Sequence, residues 1–116
     1  TMHKVAIFAF NGEPSCFVHA MINALDLDEK GVDVALVIEG TATKMVKELA
    51  DPDKPHASFY AKVKDKGLID AVCKACANQT GSLDAAMEQG LPINSDLFGH
   101  PPMHDYISKG YEVIVL

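Results

Sequence analysis

Cys73 and Cys76 stand three positions apart where an apolar, strand-like run, LIDAV, gives way to a segment of helical character, KACANQT. A pair of thiols at this spacing opens four readings: half of a metal site, a redox dithiol, a sulfur-carrying site, or two small core residues. A cysteine that ends a strand and opens a helix meets free amides and the positive end of the backbone dipole, both of which favour its thiolate. That expectation attaches to Cys73. Cys76 follows close to one helical turn later, so the two sulfurs share a face, but its position deeper in the helix weakens the dipole's pull. A structural zinc site takes four ligands, of which the pair supplies two. The remaining donors are Cys16, Glu39, His100 and His104, with the two histidines four apart in GHPPMH. The plainer reading of those histidines is one in a loop and one on a solvated helix face, and of Glu39 a solvated loop carboxylate.

Composition removes several function classes. The formal charge is −6, and all 10 basic residues are lysine. Nucleic acid, which needs a positive footprint, and guanidinium-based phosphate clamps are therefore disfavoured. The first turn, AFNGEPSCF, holds one glycine and the acidic Glu13, so neither a dinucleotide fingerprint nor a Walker loop is present. No serine, histidine and aspartate order suggests a hydrolase. A thioredoxin-like dithiol follows an early strand and precedes an antiparallel hairpin, whereas this pair follows the third strand. Cys16, beside the core-facing Phe17, is either a second reactive thiol or packing, and His19 and His56 join no constellation. No apolar run reaches a membrane span, and TMHKVAIFAF lacks a signal-peptide cleavage pattern. Thr1 reads as an addition ahead of a start at Met2. Three cysteines without a secretory signal point to free thiols in the cytoplasm.

The elements that must position these residues are punctuated by glycine. Gly31, Gly67, Gly90 and Gly110 each follow a helix-compatible segment and precede a strand-like run, as expected of left-handed helix caps. Helical segments show apolar stripes such as Phe17, Met21 and Leu25, or Phe59, Tyr60 and Val63. Strands are expected at 4–10, 32–38, 68–73, 91–97 and 111–116. The 91–97 run is the weakest, since it carries Pro92 and little β-branching. The expected fold is one α/β domain over residues 1–116, doubly wound and flavodoxin-like. It has a five-stranded, mainly parallel sheet with helices on both faces. Ligands of such sheets bind beyond the carboxyl ends of the strands. The segments there are Asn11–Cys16, Glu39–Thr43, Cys73–Asn78 and Phe98–His104.

On these residues the chain resembles the DsrE/DsrF-like family of small α/β proteins, over nearly its whole length. The most specific match is C-x-x-C-x(4)-G, formed by Cys73, Cys76 and Gly81. The resemblance implies a sulfur carrier or sulfurtransferase that holds a persulfide on Cys73 and passes it to a partner thiol, with Cys76 matching a second cysteine found in some members. It implies no organic cofactor, sulfur donor and acceptor proteins as partners, and a homo-oligomer. Members often carry a basic residue before the glycine, where this chain has Gln79 and Thr80. The FGHPPMHDYISKG stretch matches no general family motif. The alternative is a non-catalytic metal-binding or small-ligand module using Cys73, Cys76 and either His100 or His104.

Overall fold

β1 (Lys4–Ala9) leads through α1 (Pro14–Glu29) to β2 (Asp33–Ile38), and a 3-10 turn (Gly40–Thr43) follows. Then come α2 (Lys44–Glu48), α3 (Ala57–Asp65), β3 (Ile69–Cys73), α4 (Lys74–Gln79) and α5 (Leu83–Glu88). β4 (Ile93–Asn94), α6 (Met103–Ser108) and β5 (Glu112–Val115) complete the order. This computed structural model describes residues 3–116, so Thr1 and the proposed start at Met2 lie outside it. Among the described residues the five strands form one sheet of order β4-β3-β2-β1-β5, and each neighbouring pair is parallel.

That order follows from the handedness of parallel crossovers. The first three connections each step one strand in the same direction, so right-handed crossovers place their helices on one face. Phe17, Met21, Met45, Val46, Tyr60, Val63, Ala77 and Ala86, drawn from α1 to α5, share one core cluster with Ile7, Leu36 and Val72. The last connection returns past β1 to the opposite edge, so its helix must lie on the other face. There Tyr106 of α6 packs with Ala6, Phe8, Ala35, Val37 and Ala71. Both faces are covered, the second by one short helix. The near-continuous apolar strands VAIFA and VALVI suit burial on both sides, and β1 and β2 are buried beyond their first residues.

The four glycine caps take positive φ, from 70° at Gly67 to 89° at Gly110, as their place after helices required. Strand four departs from expectation: the 91–97 run contributes only Ile93–Asn94 to the sheet. Pro92 has no amide to give to a ladder, although its carbonyl accepts from Val72 N–H at 2.8 Å. Asn94 Oδ1 then accepts from Asp96 N–H at 2.9 Å and turns the chain away. The other strands lose only terminal residues.

Two buried tyrosines tie the helices to the sheet. Tyr106 donates to Asp70 Oδ2 at 2.6 Å and meets Phe8 edge-on at 5.3 Å between ring centroids. Burial, and for Tyr106 also the Asp70 carboxylate, pushes the phenols of Tyr60 and Tyr106 well above the ordinary tyrosine value. Unfolded tyrosine ionises near pH 10, so the stability these neutral phenols contribute is fully present below that pH and is lost above it. The urea midpoint should hold between pH 7 and 8 and fall clearly by pH 11. A midpoint that stays flat to pH 11 would contradict this.

Candidate metal centre at the carboxyl edge

Three strand ends deliver the site. β2 ends at Ile38, and Glu39 follows with its amide donating to Ala9 O at 2.9 Å, which turns its side chain inward; the residue is buried. β3 ends at Cys73, which is itself the N-cap of α4: its sulfur accepts from Cys76 N–H at 3.4 Å. One cysteine therefore caps the helix that carries the other. This does the work of a serine or aspartate cap with a softer atom.

The third strand end, after β4, supplies His100 through a tight loop. Leu97 and His100 exchange backbone bonds of 2.8 and 2.9 Å, and Gly99 N–H donates to Ser95 O at 3.0 Å. Gly99 O accepts from Ala75 N–H at 3.0 Å, fastening the loop to the first turn of α4, and from the Cys73 thiol at 3.5 Å. Gly99 adopts φ +92°, and a Cβ there would lie 2.9 Å from Ala75 Cβ. Only glycine allows this approach. Gly99→Ala should cost about 1–3 kcal/mol and displace His100. If the loop holds His100 as a metal ligand, the same change should lower metal affinity roughly 10- to 100-fold, the range for losing an outer-sphere support. A competition titration with unchanged affinity would contradict this.

Glu39, Cys73, Cys76 and His100 thus converge, with their donor atoms all within 4.8 Å of one another. His100 Nδ1 lies 2.9 Å from Cys73 Sγ, 3.6 Å from Cys76 Sγ and 3.7 Å from Glu39 Oε1. A proton-relay triad uses both ring nitrogens, one toward the nucleophile and the other toward the orienting carboxylate. Here all three partners gather at the same nitrogen. Bond lengths of about 2.0–2.3 Å in a tetrahedron put neighbouring ligand atoms about 3.3–3.8 Å apart; the contacts of His100 Nδ1 with Cys76 and Glu39 fall in that range, while its 2.9 Å contact with Cys73 has the length of a hydrogen bond.

The electrostatics agree. Burial, then Cys76 and least of all Glu39, pushes the Cys73 thiol up to about 12. Burial likewise raises Glu39, partly offset by His100 and by a hydrogen bond with Cys73. The expected lowering of the Cys73 thiol by the helix start is therefore outweighed: α4 has only six residues, and the sulfur is sealed from water. The Cys73 thiol and the Glu39 carboxyl, packed together, resist ionisation unless a cation accompanies them.

Of the other donors considered, Cys16 is exposed on α1, and His104 is exposed on α6 beside Asp105, with Nδ1 4.0 Å from its carboxylate. Neither joins the cluster. Gly99 is the residue whose role sequence reasoning missed, and Glu39, named among the possible donors but read by default as a solvated loop carboxylate, is buried. The signals were a carboxylate directly after a buried strand and a glycine directly before the histidine in FGHPP.

Among solved structures, the conserved protein of unknown function BT1422 from Bacteroides thetaiotaomicron superposes with a TM-score of 0.70. It covers 97% of this chain and 94% of its own at 15% identity, a likeness of fold. No family model matches the chain. An uncharacterized protein of Archaeoglobus fulgidus is 40% identical over 48 residues, 41% of this chain and 79% of its own. The uncharacterized protein MJ0733 of Methanocaldococcus jannaschii is 34% identical over 119 residues, covering 97% of this chain and 95% of its own. At that identity and coverage, the chain belongs to the same family as MJ0733.

Proposed function

We propose that this chain is a metal-binding module holding one zinc-class divalent ion through Cys73, Cys76, His100 and Glu39. The observation that carries this reading is the convergence of four donors from three strand ends, with the contacts of His100 gathered on a single nitrogen. Two thiolates, an imidazole and a carboxylate form a borderline-soft set with tetrahedral preference, which suits Zn²⁺ over Mg²⁺ or Ca²⁺. The Cys76 amide pointing at Cys73 Sγ and the short Gly99 loop are the kind of outer-sphere support that fixes such ligands. Free thiols in this role belong in a reducing compartment, and the cytoplasm is the setting we assign.

The second reading is persulfide transfer, as in the DsrE/DsrF-like family the sequence resembles. It is favoured by the 2.9 Å contact between Cys73 Sγ and His100 Nδ1, through which a proton can leave the thiol. In that reading Cys73 accepts sulfur from a donor protein, Cys76 assists, and the chain works as a homo-oligomer. The two readings separate in one experiment. Protein purified under reducing conditions and reconstituted with zinc is assayed for bound metal. The metal-free form is then treated with a persulfide donor and weighed intact. The metal reading expects one tightly held zinc per chain that protects both thiols from alkylation. A chain that retains no zinc, yet gains one sulfur atom, supports the carrier instead.

A further inference from the structure

Beside the cluster, a cavity of about 590 Å³ opens between the segment after β1 and the His100 loop. Its walls are apolar, formed by Phe10, Leu97, Phe98, Pro101, Pro102 and Met103, and two of its polar residues, Glu39 and His100, belong to the metal cluster. Phe98 is 95% exposed and held at φ +49°, an uncommon conformation for a bulky residue. An aromatic ring is thus presented to solvent at the mouth of an apolar cavity whose inner wall carries metal ligands. A volume of this size accommodates a small organic molecule.

We propose that this cavity takes a small thiol with an apolar or aromatic body, whose sulfur replaces Glu39 on the metal; the proposal rests on the metal reading above. Glu39 and His100 line the cavity and neither cysteine does; of the two, Glu39 offers the harder oxygen donor, which a soft incoming atom displaces more readily than an imidazole nitrogen and which we take as the exchangeable ligand. The chemistry selects the incoming atom. A free carboxylate would exchange like for like against one already tethered in place, and the tethered group wins by its effective concentration. A thiolate is the softer donor, better matched to a centre already holding two sulfurs. In the exchange a metal–sulfur bond forms and the metal–oxygen bond to Glu39 breaks. The thiol proton passes to the released carboxylate, and nothing is oxidised or reduced.

Cobalt(II) in place of zinc makes both steps visible, because its d–d and sulfur-to-metal bands report ligand number and type. The Co²⁺-loaded protein is titrated with benzyl mercaptan, with 2-mercaptoethanol as a thiol lacking an apolar body, and with phenylacetate as an apolar carboxylate. The expected result is a stronger sulfur-to-cobalt band with benzyl mercaptan, half-complete at a concentration at least about tenfold lower than for 2-mercaptoethanol, and no change with phenylacetate. Phe98→Ala should raise the half-point for benzyl mercaptan severalfold without altering the cobalt spectrum of the free protein. Glu39→Gln should lower it. If cobalt binds with a tetrahedral sulfur-containing spectrum and benzyl mercaptan leaves it unchanged, the cavity proposal fails while the metal reading stands. Equal half-points for the two thiols, or a response to phenylacetate, also overturn it. If cobalt does not bind at all, both fail.

Discussion

Replacing Cys73 with serine should abolish tight zinc binding. The loss should exceed the roughly 10- to 100-fold that removal of an outer-sphere partner costs, because a metal–ligand bond itself is lost. The hydroxyl can still accept from the Cys76 amide, so the helix keeps its start and the defect falls on the metal. The metal-free variant should be no less stable than the metal-free parent by more than about 1–2 kcal/mol. In the parent, zinc uptake near neutral pH should release protons, since a thiol raised to about 12 is protonated before the metal arrives. Affinity should therefore rise with pH. Competition titration with a chromophoric chelator measures both. Undiminished affinity in Cys73→Ser would remove that residue from the centre.

Phe8→Ala should be the most damaging single change in the core away from the site, costing about 3–5 kcal/mol. Phe8 is fully buried on the face covered by a single helix, and its ring meets Tyr106 edge-on. α6 has six residues, too few to hold its place by backbone bonds alone. Its docking depends on Tyr106, which reaches both Phe8 and Asp70. The consequence extends to the edge of the sheet, because only Pro101 and Pro102 separate α6 from His100. Urea unfolding should show the stability loss, and the variant's zinc affinity should fall with it. A change below about 1 kcal/mol would mean that the second face does not depend on this contact.

The parallel sheet was legible because its determinants are local. Glycine at each helix end and continuous Val, Ile and Leu runs fix the alternation of helix and strand, and right-handed crossovers then distribute the helices. Strand four was misjudged in length because Pro92 and Asn94 act through single hydrogen bonds that apolar content does not report. The site was half legible. Cys73 and Cys76 are marked by spacing, and the carboxyl-edge rule named the segments from which Glu39 and His100 converge on them. The choice of His100 over His104 was not readable, because it depends on the Gly99 carbonyl meeting the Ala75 amide, a contact across 24 residues of chain. The raised thiol of Cys73 was likewise hidden, since helix position is visible in a sequence and the depth of burial at a strand end is not.

The most direct test is zinc K-edge X-ray absorption on the metal-loaded protein. The predicted first shell is two sulfurs at about 2.3 Å and two nitrogen or oxygen atoms at about 2.0–2.1 Å, with one sulfur lost in Cys76→Ser and the imidazole signature lost in His100→Ala. A shell of six oxygen or nitrogen atoms without sulfur, unchanged in both variants, would contradict the centre assigned to Glu39, Cys73, Cys76 and His100.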